Sequence, residues 1–234
     1  MELQNLPLLS YLSIHVTNTD FTSTSGATAL RIRRRIHGQQ TYTVLTDVTL
    51  ADAASFDLTL ADYYAKAGCT YDYSITPVTA STELVGITGT VVVSFASMFI
   101  GNLTEHYITN LNVTVKSKIT YAVSYVQPYY SKYPHAVHSG NANHTTGSVD
   151  AIFLPKNGQG EYTTVGSREY KDTIIAFLTD GVPKVLKTED GRAWYVMIDA
   201  DITPNSEGYP HDESLSFNWT EIGEIPDNGI VVMS

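Results

Sequence analysis

Apolar and polar residues alternate with a period of two along most of this chain. In LSIHVTNT, Leu12, Ile14 and Val16 fall on one side of an extended segment. SFDLTLADYY does the same with Phe56, Leu58 and Leu60, and CTYDYSITPV with Tyr71, Tyr73 and Ile75 before Pro77. That period belongs to strands with one buried face. Such strands, separated by turn residues every 8–12 positions or so, predict a β-sandwich. RIRRRI adds charge to the same pattern, with Leu30, Ile32 and Ile36 on one face and Arg31, Arg33 and Arg35 on the other. This arginine row is an interface candidate facing an acidic neighbour. Nucleic acid is the weaker partner, because no aromatic platform is interleaved with the basic residues.

The stretch PVTASTELVGITG, residues 77–89, is rich in Ser, Thr and Gly and reads as a linker. It divides the chain into expected domains 1–88 and 89–234. Strand patterns resume in TVVVSFASMFIG, HYITNLNVTVKSK and ITYAVSYVQPYY. One segment changes period. SREYKDTIIAFLTDG places Tyr170, Ile174, Ile175, Phe177 and Leu178 at helical spacing, which predicts a helix near 168–178 with Ser167 as N-cap and Gly181 as stop. Two apolar runs flank Asp190-Gly191, a hairpin signal, and Trp194, Val196 and Ile198 alternate on the returning strand. Leu215, Phe217 and Trp219 share a face near the end. The expected fold is mainly β: an N-terminal β-sandwich, then a sandwich- or barrel-like β-domain with one short helix.

The composition narrows the function. Of 234 residues only 16% are charged and 43% are hydrophobic, so Thr, Ser, Asn and Tyr supply much of the polar surface, which suits faces covered by neighbours. A net charge of −10 disfavours unspecific binding to nucleic acid or an anionic membrane. Cys69 is the single cysteine, so an intrachain disulfide is excluded. The first residues lack the basic segment and long apolar run of a signal peptide, and no run of about 18 apolar residues spans a membrane. The Asn-x-Thr triplets at Asn102, Asn112, Asn143 and Asn218 are read as chance in a chain made in a reducing cytoplasm.

Candidate chemistry is sparse. KYPHAVHSGNANHTTG holds His135, His138 and His144, the candidate metal ligands. Zinc needs ligands that converge, whereas positions three apart on a strand face opposite ways. Pro134 favours extended structure before it, and Ser139 to Asn143 read as a turn that brings His138 towards His144. Asp199, Asp201 and Asn205 lack the glycine and distal glutamate of an EF-hand loop. Glu161, Glu169 and Asp172 flank the helix start, where they suit the dipole. No nucleophile-elbow, P-loop or dinucleotide glycine pattern is present. The reading is therefore no catalytic residue, no resident metal and no cofactor.

Two resemblances extend this. ADYYAKAGCTYDYSI, with Asp62, then Gly68-Cys69-Thr70-Tyr71, then Tyr73 and Ile75, resembles the entry to the penultimate strand of a fibronectin type III domain. It implies that Tyr71 forms a tyrosine corner, although the tryptophan usual in that family's second strand is missing. Residues 91–223 resemble tail-tip or baseplate proteins of phages and phage-like particles of Gram-positive bacteria. The residues that carry this are Ser131-Lys132-Tyr133-Pro134, Gly147-Ser148-Val149 before AIFLP, FLTDGVPKVLKTEDGRAWYVMI, and SFNWTEIG. That resemblance implies a virion structural protein, made in the bacterial cytoplasm and carried in the tail. Its partners would be other tail or baseplate proteins and copies of itself in a ring, with neither nucleic acid nor membrane among them. Tyr129 and Tyr130 are then interface candidates. The alternative is a carbohydrate-binding, host-attachment module in which Tyr129, Tyr130 and Tyr133 stack on a cell-surface glycan. A metal-dependent enzyme built on the three histidines is the remaining alternative.

Trp194 and Trp219 are expected to fill the second core, and truncating either should cost about 3–5 kcal/mol in chemical denaturation. Reversing the charge of Arg31, Arg33 and Arg35 together should impair particle assembly while leaving the fold intact. Intact particles carrying the triple reversal would remove the row from the interface.

Overall fold

The computed structural model describes residues 1–157, 161–205 and 214–233. Its strands are β1 (Glu2–Leu6), β2 (Tyr11–Thr17), β3 (Ala29–Ile36), β4 (Thr43–Thr49), β5 (Asp57–Asp62), β6 (Thr70–Val78), β7 (Ile87–Val92), β8 (Met98–Gly101), β9 (His106–Thr109), β10 (Leu111–Val126) and β11 (His135–Ile152). After helix α1 (Ser167–Leu178) come β12 (Lys184–Lys187), β13 (Ala193–Asn205), β14 (Ser214–Gly223) and β15 (Ile230–Met233). The chain is mainly β, as its alternation predicts, and none of its sheets closes into a barrel.

Contacts divide the chain into two compact units. The first comprises Met1–Ile108, Val185–Trp194 and Glu224–Ser234; the second comprises Thr109–Lys184 and Tyr195–Gly223. The division expected at residue 88/89 falls inside β7, within the first unit. The Ser/Thr/Gly-rich stretch read as a linker is the hairpin between β6 and β7, which pair from Ile75↔Ile87 to Thr70↔Val92. Turn residues mark a hairpin and a linker alike.

The first unit contains two four-stranded antiparallel sheets, in the orders β1-β2-β5-β15 and β4-β3-β6-β7. They share one core. Leu12, Ile14, Val16 and Leu60 come from the first sheet, and Leu30, Ile32, Tyr73 and Ile75 from the second. The inward positions of β3 are Leu30, Ile32 and then Arg34. Arg34 Nη1 donates to Asp62 Oδ2 at 2.6 Å, and Asp62 is fully buried. Ile36, expected on the buried face, is 44% exposed because it stands at the end of its strand. Tyr73 donates its hydroxyl to the same Asp62 oxygen at 2.6 Å. The Tyr71 hydroxyl accepts the Lys66 N–H, five residues upstream, at 3.2 Å.

The segment Val185–Trp194 joins this unit as a hairpin. β12 pairs antiparallel with β8, from Val185↔Gly101 to Lys187↔Phe99, and the turn at Asp190-Gly191 forms where the sequence signals it. Gly191 adopts φ +87°, and a Cβ there would stand 2.6 Å from the Ala67 carbonyl oxygen, so only glycine suits the position. Trp194 is buried but groups with the first unit, not with the second core expected for it.

The second unit has the strand order β10-β11-β14-β13, each neighbouring pair antiparallel. Val149, Ala151, Leu215, Phe217 and Trp219 are buried, as are Ile174, Phe177 and Leu178 of α1. Gly147 lies against the Trp219 ring, where a Cβ would clash with the indole and the Lys116 carbonyl. The helix begins at Ser167, with Gly166 (φ +73°) in the capping position assigned to Ser167. The turn expected at Ser139 to Asn143 is a register break within the single strand β11, between the pairs Tyr121↔Asn143 and Val123↔His138.

Two arginines on β3 give a test of this packing. Arg34→Met leaves a buried carboxylate without its charge partner and should cost about 3–5 kcal/mol. Arg31→Met, three residues away on the outer face where solvent screens its ion pairs, should cost far less. Urea denaturation of both variants reads the difference, and equal losses would contradict it.

Candidate functional site

The feature most in need of a partner is the far half of the β10–β11 hairpin. The two strands pair from Leu111↔Ile152 to Val126↔His135, but β11 pairs with β14 only over Thr146–Ile152. The last tie is the Thr145 N–H, donated to Glu221 Oε2 at 2.8 Å. Beyond it, Ile119–Val126 and His135–His144 form a two-stranded ribbon about 25 Å long, with no third strand among the described residues. Such a ribbon is marginally stable in water by itself. Its apolar side chains are uncovered: Tyr125 is 71% exposed, Tyr129 86% and Tyr130 fully, with Ile119, Val126, Tyr133 and Val137 also exposed. A concentration of large apolar groups on one element marks an interaction surface.

At the tip the Tyr129 and Tyr130 rings meet edge to face, with centroids 4.8 Å apart and planes at 88°. The Lys132 ammonium lies 5.4 Å from the Tyr133 ring centroid. These tyrosines therefore gather at one place but do not form one flat platform.

His135 and His144 do not meet. His135 stands opposite Val126 and His144 opposite Thr120, six positions along β10, or about 20 Å. The strand register places His138 opposite Val123, and its side chain lies outside the described residues. Among the described residues no group of three His, Cys, Asp or Glu side chains is placed to hold a metal ion.

The arginine row is answered within its own unit. Arg31 holds Asp47 through Nε and Nη2 at 2.8 and 2.7 Å and Glu83 through Nη1 at 2.8 Å. Arg33 reaches Glu83 at 2.5 Å, and Arg35 donates to Asp72 at 2.9 Å with its guanidinium 4.4 Å from the Tyr42 ring centroid. The Arg31 hydrogen bond holds the Asp47 carboxyl below its ordinary range. Hydrogen bonds from Thr90 and His37, and to a lesser degree from Arg35, bring Asp72 down to about 2 against the opposing cost of burial. The carboxylates that these arginines hold thus belong to their own unit.

Across the outer face of the second unit's sheet runs an open cleft of about 420 Å3. Lys116 and Lys118 of β10 line one end and Asp199 of β13 the other, with Thr146, Ser148 and Asn218 between.

Lys187 is the one buried amine whose protonation is strongly displaced. It is 1% exposed, and Nζ donates to the carbonyls of Ser10, Tyr63 and Ala65 at 2.6, 2.5 and 3.1 Å. The Phe95 and Phe99 ring centroids lie 4.5 and 4.4 Å away. Burial pulls the ammonium down to about 7; Asp62 opposes that shift and Arg34 adds to it. A buried amine with a lowered pKa is a familiar nucleophile, but here it is almost wholly buried and its ammonium N–H groups are held by three backbone carbonyls. Lys187 clamps backbone. The sequence hides it, because a lysine in an apolar strand normally extends its head to water.

No family model and no curated protein matches the sequence. Among solved structures, a chain of the "Virion of native gene transfer agent (GTA) particle" aligns with a TM-score of 0.33 and 10% identity, covering 59% of this chain and 96% of that one. No helix among the described residues is long and apolar enough to cross a membrane.

The Lys187 clamp sets a pH dependence. The unfolded lysine titrates near ~10.4, so between about pH 7 and 10 the unfolded state holds a proton that the folded state releases. Stability should therefore rise with pH over this window. Above it the trend should reverse, since burial pushes the Tyr71 hydroxyl up to about 12. Lys187→Met should lose the rise between pH 7 and 10 in urea denaturation, and a variant that keeps it would refute the assignment.

Proposed function

We propose that the chain is a structural component of a phage tail tip or baseplate, or of a related injection particle, and that it works by packing against neighbours without catalysis. The observation that carries this reading is the two-stranded ribbon, whose uncovered aromatic and aliphatic side chains call for a protein neighbour. The sequence resemblance of residues 91–223 to tail-tip and baseplate proteins supplies the setting. The strand orders β1-β2-β5 and β4-β3-β6-β7, together with the Tyr71 hydroxyl bonded to the Lys66 backbone, support a fibronectin type III-like reading of the first unit. Arg31, Arg33 and Arg35 remain interface candidates only as ion-paired groups at the surface, and since each answers a carboxylate of its own unit, reversing all three charges is expected to weaken the fold as well as any seam.

A second reading is host attachment through a glycan, favoured by the exposure of Tyr129, Tyr130 and Tyr133. The edge-to-face arrangement of the first two rings weakens it, because a sugar face stacks on a flat ring. Immunogold microscopy of particles from the source, with antibody against the recombinant protein, separates these readings from a soluble role. Gold clustered at one end of tailed particles is the expected result. Protein free in the cytosol and absent from every particle would overturn the proposal.

A further inference from the structure

We propose that a second copy of this chain adds edge to edge to the second unit's sheet, its β13 lying along β10 of the first copy. This rests on the assembly reading above and names the partner. The four strands β10, β11, β14 and β13 alternate in direction, so the two outer strands run opposite ways. A copy related by rotation about an axis along the strands therefore continues the antiparallel order without being inverted. β10 has sixteen residues and is the first strand of its sheet; β13 is followed in that sheet by β12, β8 and β9, but β12 has four residues against its thirteen, so among the described strands the later part of β13 has no ladder partner on that side.

Charge and level agree. β10 carries Lys116 and Lys118 and no acid, while β13 carries Asp199 and Asp201 and no base. Lys118 pairs with Thr146, Thr146 with Thr220, and Thr220 with Met197. Asp199 is two residues beyond Met197, so it stands level with the two lysines across the sheet. Lys116, Lys118 and Asp199 also line the same cleft on the same face. At a seam between copies, the lysines of one copy face the aspartate of the next. Such a contact is heterologous, and repeated rotation builds a ring from it. The ribbon beyond Lys118, projecting past the pairing with β14, then reaches over the neighbouring copy, which covers its apolar side chains.

Disulfide trapping tests this with the full chain in a Cys69→Ser background. Positions 118 and 199 are three strand spacings apart in one copy, about 14 Å, too far for an internal bridge, which needs Cα atoms within about 7 Å. The variant with both Lys118→Cys and Asp199→Cys should give, on mild oxidation, a non-reducing ladder extending beyond dimer. Each single variant should give at most dimers. A double variant that yields no more than the singles, with its circular dichroism and melting unchanged, overturns the proposal. A charge exchange provides the second reading: Lys116→Glu/Lys118→Glu protein and Asp199→Lys protein should each lose self-association, and mixing them should restore it. Gold-labelled particles with no ladder would remove the seam and leave the assembly reading. A ladder with no labelled particles would do the reverse.

Discussion

Backbone polar groups buried in an apolar interior must find partners, and in the first unit that requirement centres on the five residues after β5 begins its exit, Asp62 to Lys66. Asp62 Oδ1 accepts the N–H groups of Tyr64 and Ala65 at 2.9 and 3.1 Å, while Oδ2 accepts Arg34 and Tyr73. The Tyr71 hydroxyl takes the Lys66 N–H. The Lys187 ammonium takes the carbonyls of Tyr63 and Ala65. Strands β3 and β6 and the returning hairpin are thereby fixed to one short loop. Removing Asp62 would leave the Tyr64 and Ala65 N–H groups, Arg34 and the Tyr73 hydroxyl without this partner at once.

The alternation of Leu12, Ile14 and Val16, of Tyr71, Tyr73 and Ile75, and the helical spacing around Ile174 were legible because each is a local property of ten or so residues. The fold-completing contacts were not. Arg34 shares the parity of Leu30 and Ile32, unlike Arg31 and Arg33, but nothing local names the group that would answer an inward arginine; its buried partner lies 28 residues away. Lys187 depends on carbonyls more than 120 positions distant. The return of residues 185–194 and 224–234 to the first unit is long-range for the same reason, since a four-residue strand such as β15 names no partner in its own sequence. The histidine window misled through glycine and asparagine, which suit a break in register as well as a turn.

The scarcity of charge takes on a physical sense in the second unit. A long edge strand is ordinarily guarded against unwanted pairing by charged residues. β10 has two lysines for that purpose over sixteen residues, and its outer end has tyrosine and valine. In the first unit most of the exposed arginines already hold carboxylates of the same unit, so their fields are largely spent. In the second unit the exposed aromatic groups gather on one hairpin, at Tyr125, Tyr129, Tyr130 and Tyr133.

The pairing of β15 with β5 fixes an order in time. β5 is made when a quarter of the chain has been synthesised, yet its outer edge is closed by residues 230–233, which leave the ribosome after the whole inserted unit. Until then the sandwich is held with an open strand and without its final seam. A nascent chain in this state presents an unpaired edge, the feature most prone to misassociation. Closure by a strand made after the second unit couples the finishing of the first unit to the arrival of the second.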